Sequence, residues 1–272
     1  MTRGILIFAF NNEKINYFKQ ATWIANRVEK FLGLPTTIVT DENSACDTKH
    51  NIVLKEKVEA NQRNFDISES DFRSSWYNAN RFQAYELSPY DETIVIDSDY
   101  IVNSDRLNLL FDSPHNFLCH RYAYDLANKD SLRSYQTFGM LKFPHYWATV
   151  LFFRKSSFAK LIFDFLAMIR ENYSFYSKLY KFEPAPFRND YAVSIALSIA
   201  YGHRITSIPT IPWGLPTALT DIKVKQINEN EFELEYEKFF MNKLRSMRSI
   251  VSNHDIHCMN KKSLEEIVNA NS

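Results

Sequence analysis

The first 54 residues alternate short apolar runs with one long stretch of helical periodicity, and that alternation constrains the chain more than any other feature. Residues 4–10 (GILIFAF) are apolar up to Asn11 and Asn12, and residues 15–32 then repeat apolar side chains at helical spacing as far as Gly33, a stop signal. Residues 35–41 (PTTIVTD) and 51–54 (NIVL) are two further short runs rich in β-branched side chains. Strand, helix and strand in that order predict a βαβ opening. The fold class expected is therefore α/β, with a mostly parallel central sheet, helices on its faces and ligands beyond the carboxyl ends of the strands.

Further along, residues 75–87 predict a helix, residues 88–91 a turn, and residues 92–96 (ETIVI) a nearly all-apolar strand that runs straight into Asp97-Ser98-Asp99. Residues 103–146 form a polar and aromatic connection with little periodicity, long enough to act as a lid or an acceptor-facing insertion. A strand at 149–153, a helix at 156–173, a break at Pro184-Ala185-Pro186 and a helix at 190–201 follow. Residues 222–236 alternate like a hairpin turning at 228–230, and the basic run 243–248 (KLRSMR) reads as a solvated helix face. A short strand at 249–252 and a helix from about Lys261 close the chain. One domain over residues 1–272 is expected.

Lys plus Arg and Asp plus Glu each number 32, so the totals give no general attraction to polyanions, which weakens a nucleic acid as acceptor. Glycine is scarce at 5 residues, and neither GxGxxG nor GxxxxGK[ST] occurs. Backbone amides in a glycine-rich loop are thus excluded as a phosphate cradle, and side chains or a metal must hold any phosphate. The three cysteines, Cys46, Cys119 and Cys258, are too few and too scattered for a disulfide framework. With no apolar run of about 18 residues and no secretory leader, a cytoplasmic protein is expected.

Two carboxylates at i and i+2 of an extended segment project to one side with Cα atoms roughly 6.5 Å apart, so both reach one hard cation. Asp97 and Asp99 fit that description, and their oxygens together with phosphate oxygens suit Mn²⁺ or Mg²⁺. Such an ion neutralises the charge that builds on a leaving diphosphate.

Helix, turn, strand and D-x-D, with residues 80–91 (NRFQAYELSPYD) preceding TIVIDSD, resemble the glycogenin-like (family 8) retaining glycosyltransferases of the GT-A fold. The resemblance implies a nucleoside-diphosphate sugar as co-substrate, with Phe8, Ala9, Phe10, Asn11 and Asp41 around the nucleotide. It further implies Arg81, Ser98 and Lys261 on the donor and diphosphate, and a histidine, His254 or His257, completing the metal site. His254 follows the residues 249–253 (SIVSN) directly and fits the family's order slightly better. Asp190 and, beside it, Asn189 would stand near the anomeric carbon of the donor sugar, Asp190 orienting it or steadying positive charge. Trp147-Ala148-Thr149 stands where the family carries Asn-Ser/Ala-Gly, and Lys261 lacks the family's following Pro-Trp.

Two other readings remain open at this point. A haloacid dehalogenase-type phosphatase would use Asp97 as nucleophile, although that motif normally opens its domain. A non-catalytic sugar-binding protein would use aromatics such as Trp147 and Trp213. The acceptor could be a glycan, a lipid-linked sugar, a protein hydroxyl or a modified nucleobase.

Overall fold

The computed structural model describes residues 1–64, 73–129, 132–183, 185–241 and 243–271. Its central sheet has six strands in the order Asn51–Leu54, Thr36–Thr40, Arg3–Phe8, Glu92–Ile96, Trp147–Arg154 and Phe117–His120. The first four run parallel, and Trp147–Arg154 runs against both of its neighbours. This is the expected α/β architecture with a mostly parallel sheet.

The central strands Arg3–Phe8 and Glu92–Ile96 are largely apolar because both faces of the sheet are covered there. On one face Ile5, Ile7, Ile94 and Phe152 pack with helices Tyr17–Leu32 and Lys261–Ala270. On the other Leu6, Phe8, Val95 and Leu151 pack with helices Ser157–Glu171 and Asn189–Ala200. Period-two alternation along one strand therefore feeds two separate cores. The first helix is fixed at both ends: the Asn16 side chain accepts the Lys19 N–H at 2.8 Å, and Gly33 takes the left-handed conformation at φ 66°.

A four-stranded sheet of short strands stands beside the central one, in the order Tyr100–Ile101, Ile256–Cys258, Leu215–Ala218 and Ala123–Asp125. It joins the segment just after Asp97-Ser98-Asp99 to the tail of the chain. A three-stranded antiparallel sheet, Lys223–Asn228, Glu231–Phe240 and Lys243–Ser252, lies farther out.

Two expectations need correction. Residues 75–87 are not one helix: Arg73–Trp76 is a strand paired with Asn61–Asn64, and only Arg81–Gln83 and Ala84–Leu87 are helical. Pairing with a distant segment overrides local helical preference there. Residues 243–248 form no helix face but the first six residues of a ten-residue strand paired along its length with Glu231–Phe240. Within residues 103–146, Phe117–His120 joins the edge of the central sheet and Ala123–Asp125 joins the smaller one. Of the expected break at 184–186, Pro184 lies outside the described residues.

Candidate active site

The strands Arg3–Phe8 and Glu92–Ile96 end at the same edge of the sheet where the opposed strand Trp147–Arg154 begins. A cavity of about 500 Å³ opens at that edge. Asp97 leaves the end of its strand with its N–H on the Thr149 carbonyl at 3.0 Å, and the Tyr100 N–H returns to the Asp97 carbonyl at 3.0 Å. That tight turn presents both acids to the cavity.

His257 reaches the same place from the other end of the chain. Ile256–Cys258 pairs antiparallel with Tyr100–Ile101, setting His257 opposite Tyr100, and the Cys258 N–H donates to the Asp99 carbonyl at 2.9 Å. One ligand atom each from Asp97, Asp99 and His257 falls within 4.8 Å of the others. The Asp99 Oδ2 to His257 Nε2 distance is 3.8 Å, and Asp99 Oδ1 is buried with no hydrogen-bond partner. Two carboxylates and an imidazole with an unspent buried oxygen fit Mn²⁺ or Mg²⁺, the imidazole favouring Mn²⁺.

Three cations balance these acids. Lys261 is ion-paired with Asp99 Oδ2. It sits in the first turn of helix Lys261–Ala270, where the helix dipole disfavours a positive charge, so its placement is owed to the anion it meets. Arg81 is almost fully buried, ion-paired with Asp97 and donating to the Ala148 carbonyl. Arg188 donates to Asp190 Oδ2 at 3.0 Å, while Asp190 Oδ1 accepts the Ala148 N–H at 2.9 Å. Asp190 therefore lies in the first turn of Asn189–Ala200, and its carboxylate faces the cavity strand rather than capping its own helix.

Burial alone would raise the Asp99 carboxyl, but Lys261 and His257 beside it outweigh that and hold it below the usual carboxylate range. Burial lowers the His257 imidazole against the pull of Asp99, which keeps it neutral at neutral pH and able to ligate. Burial also lowers the Arg81 guanidinium to about 10, opposed by Asp190 and Asp99, so it remains charged. Burial pulls the Lys261 ammonium down, but the attraction and hydrogen bond of Asp99, with Tyr17 and Cys258 nearby, together outweigh it and raise the ammonium.

Of the residues singled out in the sequence, the cavity gathers Phe8, Phe10, Arg81, Asp97, Ser98, Asp99, Asn189, Asp190, His257 and Lys261. Phe8 and Phe10 point into it together, as alternation requires, while Ala9 is buried in the opposite core. Asn11 is outside the lining: its N–H meets Ser44 Oγ at 3.0 Å and its Oδ1 accepts the Phe18 N–H at 2.9 Å. Asp41 is likewise spent on its own turn, accepting the Asn43 N–H at 3.0 Å and the Ser44 hydroxyl at 2.7 Å. His254 is not brought to the acids. It is exposed beside Asp255 and Trp213 in a separate hollow, its Nδ1 on the Ser252 carbonyl at 2.8 Å. It is the pairing of Ile256–Cys258 with Tyr100–Ile101 that brings His257 inward, while His254 stands outside that pairing, next to Asn253 with its positive φ of 53°.

Sequence reasoning missed Gln62 and Trp76, Thr220 and Met259, and the role of Arg188. Gln62 and Trp76 arrive on the paired segments Asn61–Asn64 and Arg73–Trp76, the first unassigned in the sequence and the second overlapping the expected helix at 75–87. Arg188 stood next to Asn189 and Asp190, and that adjacency was the available signal.

No protein-family model and no curated protein sequence matches the chain. Among solved structures, similarity is found to the apo-form glycosyltransferase GlyE of Streptococcus pneumoniae TIGR4, with 13% identity, TM-score 0.42, 78% of this chain and 45% of that chain covered. The galactosyltransferase LgtC, in complex with donor and acceptor sugar analogues, matches at 16% identity and TM-score 0.42 over 71% of this chain and 70% of that one. Mouse xyloside xylosyltransferase 1 in its apo form matches at 13% identity and TM-score 0.43, over 75% and 83%. This chain spans less than half the length of the GlyE chain. At these scores the likeness carries no argument about this chain, and the reading of the site rests on its geometry.

Proposed function

We propose that this chain is a glycosyltransferase of the GT-A type, one catalytic domain that takes a sugar from a nucleoside-diphosphate donor to a hydroxyl acceptor. The observation that carries the reading is the meeting of Asp97, Asp99 and His257 in one cavity that Lys261 and Asp190 also line. Asp97, Asp99 and His257 would hold Mn²⁺ or Mg²⁺. That ion supplies charge neutralisation on the departing diphosphate.

In this reading Lys261 gives the diphosphate a point charge, a task suited to an ammonium on a flexible stem. Arg81 positions: its guanidinium fixes Asp97 to the Ala148 carbonyl and so holds the turn that presents both acids. Asp190 stands across the cavity, where a carboxylate orients donor hydroxyls or steadies positive charge at the anomeric carbon. Phe8, Phe10 and Tyr17 offer apolar and aromatic surface to the nucleoside. Retention of configuration follows from the family resemblance, with no committed nucleophile assigned. A phosphatase with Asp97 as nucleophile is not favoured, because Asp97 is already held by the buried Arg81.

The test is calorimetric titration of uridine, guanosine, adenosine and cytidine diphosphates and their sugars, with Mn²⁺ and then with EDTA. Binding of one base that needs the ion and disappears in Asp99→Ala is the expected result. Binding of no donor by the folded wild type would overturn the proposal and direct attention to phosphatase assays.

A further inference from the structure

The donor accounts for only part of the cavity. In the proposed reaction Phe8, Phe10 and Tyr17 meet the nucleoside, the two acids with His257 and Lys261 meet the metal and diphosphate, and Asp190 meets the donor sugar. What remains of the lining includes Gln62, Trp76, Asn78 and Arg188, brought in by segments far apart in the sequence.

Those segments are tied into one wall. Asn61 Nδ2 donates to the Phe187 carbonyl at 3.0 Å, and Asn189 Nδ2 donates to the Asn78 carbonyl at 2.7 Å. The Trp76 and Phe187 rings lie 6.2 Å apart between centroids, and Phe187 packs in turn on Tyr173 at 5.1 Å. Arg188 and Asn189 directly precede Asp190, so the wall begins beside the carboxylate assigned to the donor sugar. Ties of this kind hold recognition groups in place before a ligand arrives.

The wall is a hydrogen-bonding surface beside an indole. Its four side chains include no acid, and the charge of its one cation is answered by Asp190 Oδ2, 3.0 Å from Arg188 Nη2. Asn78 Oδ1, which accepts, and Arg188 Nε, which donates, are both buried without a hydrogen-bond partner among the described residues. Such atoms are costly to leave alone, and their requirements are opposite. A hydroxyl group donates and accepts, so a ligand rich in hydroxyls can meet both.

We propose that this wall is the acceptor subsite and that the acceptor is a neutral saccharide, its ring laid against Trp76 and its hydroxyls shared among Gln62, Asn78 and Arg188. The inference rests on the glycosyltransferase reading of the same cavity. In the transfer one saccharide hydroxyl oxygen bonds to the anomeric carbon of the donor. The bond from that carbon to the diphosphate breaks, its electron pair leaves on the diphosphate, and the hydroxyl proton leaves with it. An anionic acceptor would bring a charge to an Arg188 already paired with Asp190. An alkyl chain would leave Asn78 Oδ1 and Arg188 Nε unmet.

The experiment is saturation-transfer NMR titration of the full chain, saturated with Mn²⁺ and the nucleoside diphosphate it binds. The probes are methyl glycosides of glucose, galactose, xylose and N-acetylglucosamine, lactose, and peptides containing serine or threonine. At least one saccharide should bind, and Trp76→Ala and Asn78→Ala should each weaken it by at least about tenfold. Trp76→Phe, which keeps an aromatic face, should restore most of the loss. Gln62→Ala, at an exposed side chain, should weaken it in a folded protein even where Trp76→Ala does not fold, as a circular dichroism melt reads. Metal-dependent binding of the nucleoside diphosphate should be unchanged in the folded variants. Nucleotide binding with no saccharide binding, or saccharide binding that all the variants leave unchanged, would overturn this inference and leave the glycosyltransferase reading standing. So would binding of the peptides in place of saccharides, or loss of nucleotide binding in folded Trp76→Ala, which would give the wall to the donor. A wild type that binds no nucleotide would instead sink the glycosyltransferase reading and the acceptor role with it.

Discussion

Asp99 Oδ2 and His257 Nε2 face each other 3.8 Å apart across the pairing of Tyr100–Ile101 with Ile256–Cys258. The gap is too long for a hydrogen bond and suits two ligands of one ion. Strand pairing sets it, and the pairing is itself anchored: Asp255 accepts the Tyr100 hydroxyl at 2.9 Å and the Asn103 N–H at 2.8 Å. Buried Arg27 holds the following segment through the Val102 carbonyl at 2.7 Å.

The two histidines provide a direct test of that geometry. His257→Ala is expected to weaken Mn²⁺ binding by at least about tenfold, while His254→Ala leaves it unchanged. Electron paramagnetic resonance of free Mn²⁺ reads both variants. Equal losses, or a loss confined to His254→Ala, would refute the placement of the metal.

Lys261 and Asp99 are both nearly buried, so removing one leaves the other uncompensated. Lys261→Met and Asp99→Asn should each cost about 3 kcal/mol in the absence of metal, and the double variant much less than their sum. Urea unfolding of the three proteins gives the cycle. Strictly additive losses would show that the two charges do not interact.

The fold was readable where local pattern and tertiary environment agree. The run 92–96 is apolar because both its faces are covered, and Asp97 follows it because the sheet ends there. What the sequence could not show is arrangement produced by distant pairing. Ser75 and Trp76 look helical in isolation and become strand only when Asn61–Asn64 lies beside them. The choice between His254 and His257 turns on the pairing of Ile256–Cys258 with Tyr100–Ile101, which no spacing rule reports. Asp41 was a sensible nucleotide ligand at a strand end, yet its oxygens are consumed by Asn43 and Ser44. Arg81, expected on the donor diphosphate, is a buried brace ion-paired with Asp97.

Cysteine accessibility checks the packing independently of ligands. Cys46 is exposed, whereas Cys119 and Cys258 are buried, and burial raises the Cys258 thiol to about 12 and the Cys119 thiol further. One equivalent of thiol should react with dithionitrobenzoate in the native protein and the remainder only after unfolding. Rapid native reaction of all three would contradict the cores described above.

His120 makes stability depend on pH. It is completely buried, with Nδ1 on the Trp213 carbonyl at 2.9 Å and Nε2 without a partner, and burial pushes it down to about 4. Above pH 6.5, the ordinary value for histidine, folded and unfolded chains both carry it neutral, and its contribution is complete. As pH falls from 6.5 towards 4 the unfolded chain takes up the proton while the folded one does not, so stability drops. A shift of this size corresponds to roughly 3 kcal/mol. His50, His145 and His257 are lowered in the same direction by burial, so the wild-type slope contains all four. His120→Asn, whose amide can still donate to Trp213, should be less stable at pH 8 but flatter between pH 6.5 and 4, as read by urea unfolding at each pH. An unchanged slope would mean that His120 is not the group that titrates.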